Sequence, residues 1–157
     1  MPVFVGTHIN KIDRKGRVSV PAAFRGVLAS QTQPGIYVMR SIRRVQALDA
    51  FAPDAFADLA NSISNPFAAK HEDVTSAIFG AAIHLPCDSE GRMGIPDHLR
   101  DFAGIVDQAC FIGRGPFFQI WEPEAGLRFQ EEAFQRVSDN PADVELAFAS
   151  KLGGGDG

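Results

Sequence analysis

The chain has 157 residues, 45% of them hydrophobic, and a formal net charge of −4 at neutral pH. That length suits one compact body of two halves rather than two independent domains. No apolar run approaches transmembrane length and no basic-plus-apolar leader opens the chain, so a soluble, non-exported protein is expected.

In chain order, the first element is an approach strand through Ile9, Lys11 and Asp13, and it feeds a phrase that recurs. Residues 12–25 read Ile-Asp-Arg-Lys-Gly-Arg-Val-Ser-Val-Pro-Ala-Ala-Phe-Arg, and residues 87–100 read Cys-Asp-Ser-Glu-Gly-Arg-Met-Gly-Ile-Pro-Asp-His-Leu-Arg. Both reduce to Asp-x-x-Gly-Arg-x-x-aliphatic-Pro-x-x-hydrophobic-Arg. The identities are Asp13/Asp88, Gly16/Gly91, Arg17/Arg92, Pro21/Pro96 and Arg25/Arg100, each 75 positions apart. An internal repeat sets the architecture. Asp-x-x-Gly makes a chain reversal, the aspartate bonding turn amides and the glycine accepting a positive φ. A return strand follows. Proline then ends it at the first position of a short helix, over residues 22–28 and 97–102.

The likeness continues beyond the phrase. Strands are expected at 35–40 and 110–114, second arms at 43–48 and 117–121, and longer helices from Pro53 and Pro123. Phe56, Leu59 and Ile63 stripe the first long helix, and Phe129, Ala133 and Val137 the second. A break at 65–67 and a helix over 71–79 precede the second approach strand, where Ala81, Ile83, Leu85 and Cys87 share a face. A last helix over 141–152 has Asn140 as its cap. The resulting organisation is a first repeat (1–52), a helical connector (53–80), a second repeat (81–122), C-terminal helices (123–152) and a flexible tail (153–157). A unit of about 45 residues buries too little core alone, so the two are expected to pack as an internal pseudo-dimer.

Charge is segregated along this pattern. Residues 1–48 hold Lys11, Arg14, Lys15, Arg17, Arg25, Arg40, Arg43 and Arg44 against Asp13, a net of +7, which leaves −11 for the remainder. Such asymmetry points to nucleic-acid contact by one end of a chain. Lys11, Arg14, Lys15 and Arg17 fall within seven residues, so part of that cluster projects from one turn.

The two Asp-x-x-Gly-Arg segments at this separation resemble the tandem SpoVT/AbrB-type repeats of the MraZ family, bacterial transcriptional regulators associated with the division and cell-wall gene cluster. The aromatic run Phe117–Trp121 before an acidic residue resembles that family's closing strand. The resemblance covers residues 1 to 137. It implies an α+β fold of two tandem AbrB-like swapped-hairpin units, an internal pseudo-dimeric β-barrel with flanking helices. It further implies ring-like homo-oligomers in the cytoplasm, on the nucleoid, bound to short direct repeats in double-stranded promoter DNA. Arg17 and Arg92 match the family's DNA-binding arginine, and Asp13 and Asp88 the aspartate that shapes the turn and orients it. Lys11 matches a basic position before that aspartate, and Arg25 and Arg100 the arginine closing the short helix. In the second copy Ser89-Glu90 replaces Arg14-Lys15, which makes its hairpin a poor phosphate contact.

Each site residue has a plainer role to set beside this one. Gly16, Gly91, Pro21 and Pro96 are structural. Arg25 and Arg100 either contact DNA or pair with helix carboxylates such as Asp101. Arg43 and Arg44 either bind phosphate or supply edge-strand charge against aggregation. No enzyme is expected: His8, His71, His84 and His98 are scattered, and no phosphate loop or nucleophile elbow is present. His84-x-x-Cys87 lacks a second ligand pair, and Cys87 and Cys110 read as strand residues. No metal, cofactor, small-molecule substrate or membrane partner is expected. The alternative function is a swapped-hairpin module that binds protein, antitoxin-like or a scaffold, with DNA binding secondary.

Overall fold

A computed structural model describes residues 3–63, 65–68 and 70–152. The chain divides into two compact units, Met1–Pro123 and Glu124–Gly157. The first opens with strands β1 (Thr7–Lys11) and β2 (Arg17–Ser19), helix α1 (Ala22–Ala29), strands β3 (Ile36–Arg40) and β4 (Leu48–Phe51), and helix α2 (Pro53–Ser62). Helix α3 (His71–Thr75) runs on as a π-helical turn, Ser76–Gly80. Then follow β5 (Ile83–Leu85), β6 (Arg92–Gly94), α4 (Asp97–Ala103), β7 (Gln108–Gly113) and β8 (Phe118–Trp121). The class is α+β, with antiparallel pairing throughout. Pro21 and Pro96 stand one position earlier than expected, at the caps of α1 and α4 with φ −53° and −57°. Pro53 does occupy the first turn of its helix, where a missing N–H costs nothing.

The six-stranded sheet runs β1-β7-β8-β4-β3-β5, and β2 and β6 form a separate two-stranded ribbon. Its edges are β1 and β5, so the hydrogen-bonded order is open where closure into a barrel was expected. The order reads identically when each strand of one repeat is exchanged for its counterpart in the other. Thus β1 pairs with β7, the third strand of the opposite repeat, and β5 pairs with β3. The two return strands pair with each other, and so do the two closing strands. Among the described residues, each turn is bridged to its own return strand by a single isolated β-bridge, Ile12↔Val18 in the first repeat and Cys87↔Met93 in the second.

That crossing merges the cores. Val18, Val20 and Phe24 share one buried cluster with Met93, Ile95 and Leu99. Phe24 sits at its centre, with ring centroids of Phe4 at 5.2 Å and Phe118 at 4.9 Å.

The second arm of the first repeat differs from expectation. Residues 43–46 are not strand; β4 begins at Leu48, between β3 and β8. Arg44 takes φ +60°, which no strand residue adopts. The Ser41 N–H meets the Ala47 carbonyl at 2.9 Å and closes the loop. Arg43 and Arg44 therefore lie on a loop, not an edge strand, and the aggregation-guard role does not apply to them.

In the second unit, α5 (Pro123–Asp139) and α6 (Ala142–Leu152) fall where helices were expected. Arg128 pairs with Glu124 one turn earlier at 3.6 Å. Of the expected α5 stripe, Val137 is exposed, as are Phe134 on the same helix and Leu146 and Phe148 on α6. The expected tail, 153–157, lies outside the described residues. Among the described residues no helix is long and apolar enough to cross a membrane.

Candidate nucleic-acid interface

Each hairpin turn is organised by one carboxylate. Asp13 accepts from the backbone N–H of Lys15 and of Arg17, both at 2.9 Å, and from Arg17 Nε at 2.8 Å. Asp88 repeats the set with Glu90 N–H, Arg92 N–H and Arg92 Nε, all at 2.9 Å. Gly16 and Gly91 close the reversals at φ +80° and +77°, donating to the carbonyls of Asp13 and Asp88 at 3.0 Å. Both carboxyls are held below their ordinary value. The largest cause is the backbone N–H of the arginine four residues on; burial opposes it, and further hydrogen bonds from the same turn add to it.

A pH dependence follows. A carboxyl whose native pKa is depressed contributes stability that is fully present above its unfolded value and is lost as pH falls through the native one. The turns should therefore loosen below about pH 4. Carrying both Asp13→Asn and Asp88→Asn should give a flatter acid limb. Urea midpoints followed from about pH 5 down to about pH 2 are expected to fall less steeply than in wild type, and an unchanged slope would remove this role from the aspartates.

The arginines oriented by these turns share one surface. In the ribbon Arg17 lies opposite Gly94 and Arg92 opposite Ser19, while Val18 and Met93 between them are buried. Arg17 and Arg92 therefore face outward, with side chains 35% and 28% exposed. Their surroundings differ. Glu90 reaches Arg92 Nη2 at 3.3 Å, so Arg92 meets two carboxylates where Arg17 meets one. Lys15 occupies the corresponding place in the first turn, and Arg14, Lys15 and Lys11 are all exposed.

The short-helix arginines cross over. A Cβ on Gly91 would stand 2.6 Å from Arg25 Nη1, and one on Gly16 would stand 3.1 Å from Arg100 Cζ. Each thus lies against the turn of the opposite repeat. Backbone bonds follow the same crossing, from Val20 N–H to the Gly91 carbonyl at 2.9 Å and from Ile95 N–H to the Gly16 carbonyl at 3.1 Å. Arg100 donates through Nε to the Ile95 carbonyl at 3.0 Å and pairs with Asp97, not with Asp101. This crossing was not read from the sequence, although the matched Gly16/Gly91 and Arg25/Arg100 pairs were its only trace. Nor was the Asn10 side-chain amide, which donates to the Ser19 carbonyl at 2.7 Å and ties β1 to the ribbon.

The other residues considered for chemistry lie elsewhere. His84 Nε2 sits 2.9 Å from the Pro34 carbonyl. Cys87, two residues beyond β5, is half-buried and makes an isolated antiparallel backbone bridge with Met93. Cys110 is buried, and burial, then the charge of Glu122, pushes its thiol up to about 11. Chemically, the surface is an exposed ribbon that offers oriented guanidinium donors and flanking cations to an anionic, acceptor-rich partner.

The class is then an α+β protein with two crossed repeats presenting a cationic ribbon. A family model described as "MraZ protein, putative antitoxin-like" matches residues 78–146. The chain is 40% identical over 156 residues to Transcriptional regulator MraZ of Gluconobacter oxydans, spanning 94% of this chain and 95% of that protein. It is 39% identical over 140 residues to the protein of that name from Gluconacetobacter diazotrophicus, 87% of this chain and 89% of the other. With that of Parvibaculum lavamentivorans it shares 38% over 139 residues, 87% and 86% of the two chains. The chain belongs to the MraZ family.

Proposed function

We propose that this protein is a sequence-specific DNA-binding transcriptional regulator, acting in the cytoplasm on the nucleoid. Its target is promoter DNA with short direct repeats, at its own division and cell-wall gene cluster, and it acts as a ring-like homo-oligomer. The observation that carries the reading is the ribbon on which Arg17 and Arg92 face outward, each tied through Nε to its own aspartate. Arg17, fixed at Nε, keeps its terminal nitrogens for a partner, whereas Glu90 already engages Nη2 of Arg92; guanine O6 and N7 are the commonest bidentate target of such a fork. A two-stranded ribbon also fits the major groove. Cross-pairing of the two repeats supports the pseudo-dimeric, swapped-hairpin reading of the fold. Lys11, Arg14, Lys15 and Arg25 supply phosphate contacts, with Arg100 weaker because Asp97 pairs with it. One protomer offers few such contacts, so copies on one face of an assembly gain affinity through avidity.

Lys15 tests the phosphate side of this reading. Lys15→Ala should weaken binding to cognate and scrambled duplexes alike and lower the salt slope by about 1. Fluorescence anisotropy at two salt concentrations measures both. A loss confined to the cognate duplex would make Lys15 a base reader instead.

A second reading, a module that captures a protein partner, is favoured by one observation: Phe134, Leu146 and Phe148 are exposed on the second unit. A wild-type protein with no salt-dependent DNA affinity would bring that reading forward.

A further inference from the structure

A cleft of about 500 Å³ opens between α1 and α2 in the first unit. Val27, Phe51, Ala55 and Leu59 give it an apolar lining, and Asp54 and Asp58 stand one helical turn apart on its α2 wall. Asp54 accepts from the N–H and hydroxyl of Thr32. Asp58 is exposed, and among the described residues no hydrogen bond or ion pair engages it. The cleft therefore asks for an apolar group that carries a cation beside it.

The loop between β3 and β4 presents that pair. Ile42 is 56% exposed, and the exposed Arg44 beside it has no recorded partner among the described residues. Contacts anchor the loop behind them. Ser41 Oγ accepts the Arg43 N–H at 3.2 Å, and the Arg43 guanidinium pairs with buried Asp49 and lies 4.7 Å from the Phe117 ring centroid. Arg44 keeps a left-handed backbone, φ +60°. Such strain persists only where surrounding contacts fix it, and it clusters where a segment is preformed for a partner. Preforming removes the ordering cost that a mobile loop would meet on binding.

We infer that the Ile42–Arg44 loop of one copy seats in the α1/α2 cleft of a second copy, Ile42 on the apolar lining and Arg44 against Asp58. Charge complementarity selects this occupant: the loop is basic and apolar, the cleft acidic and apolar. The loop enters β4 at Leu48, whereas Phe51 at the far end of that strand lines the cleft. Knob and socket thus lie at opposite ends of one strand, so the contact joins copies head to tail and forms a ring if the rotation closes. This contact rests on the homo-oligomer proposed above and supplies its two faces.

Complementation tests it. Ile42→Glu spoils the knob and keeps the socket; Asp58→Arg spoils the socket and keeps the knob. Light scattering at micromolar concentration should find wild type as an oligomer and each folded variant as a protomer. An equimolar mixture of the two should give a dimer, because one sound interface remains. A charge swap, Arg44→Asp with Asp58→Arg, should restore the wild-type size and guards against a variant that fails to fold. Variants that keep the wild-type size, or a mixture that stays protomeric, would overturn the contact while leaving assembly itself intact. Ile42→Glu that retains its size but loses DNA affinity would overturn it too, making the loop a DNA contact. A wild type that is monomeric throughout would remove the proposed oligomer and this contact together, whereas DNA binding measured on the same sample judges the regulator reading separately.

Discussion

Arg17→Ala is expected to weaken binding to cognate DNA by about 1–3 kcal/mol, or roughly 5- to 150-fold, and to relax sequence preference. Arg92→Ala is expected to do the same to a smaller degree. The two arginines have matched turns, matched Nε anchors and nearby places on one ribbon, so their backbones give no reason for a difference. Charge does. Arg92 Nη2 is drawn toward Glu90 at 3.3 Å, whereas the first turn carries Lys15 at the equivalent place. A guanidinium already shared with two carboxylates must give up one of them to bind DNA, and Glu90 itself repels a phosphate. Glu90→Lys should accordingly strengthen binding, and a subsequent Arg92→Ala should then cost as much as Arg17→Ala. Equal losses in the original background would mean that both hairpins meet DNA alike and that Glu90 is without consequence. Circular dichroism must show each variant folded for the comparison to hold.

Phe24→Ala is expected to destabilise the first unit by about 3–5 kcal/mol, the usual cost of emptying a buried aromatic site. Phe24 has no exposed surface. Its ring meets Phe4 edge-on, Phe118 at a tilt, Phe111 at 6.4 Å and the His8 ring at 5.4 Å. Those neighbours come from both repeats, His8, Phe111 and Phe118 on three different strands and Phe4 from the segment before β1, so no single side chain can collapse into the space. The effect should appear as a lower urea midpoint with an unchanged slope. Phe67→Ala is the control. That ring is 93% exposed, and its removal should stay within about 0.5 kcal/mol of wild type. A loss below about 1 kcal/mol for Phe24 would mean that the two repeats do not depend on one core.

The turns were legible because their chemistry is local. An aspartate, a glycine three residues later and an arginine after it determine a reversal whose hydrogen bonds close within five residues. Helix starts were legible for the same reason, from the restricted backbone of proline. Strand partners were not. Period-two alternation says which face of a strand is buried and is silent on which strand lies beside it, so β1 on β7 and β5 on β3 could not be read from residues. The crossing of Arg25 and Arg100 onto the opposite turns depends on those pairings and was hidden with them. The β3–β4 loop was misjudged for a different reason. Residues 43–48 read as a strand through their likeness to 117–121, but Arg43 turns back to a carboxylate on Asp49, six residues on, and that tertiary pair outweighs local propensity.

Whether the ribbon reads DNA can be measured on the wild-type protein itself. The direct measurement is fluorescence anisotropy of the wild-type protein on a duplex from the promoter of its own gene cluster and on a scrambled duplex of equal length, each at two salt concentrations. Tighter binding to the promoter duplex is expected at both salts, with affinity for each duplex falling as salt rises in proportion to the phosphates contacted. Equal, salt-independent affinities for the two duplexes, or none at all, would contradict it.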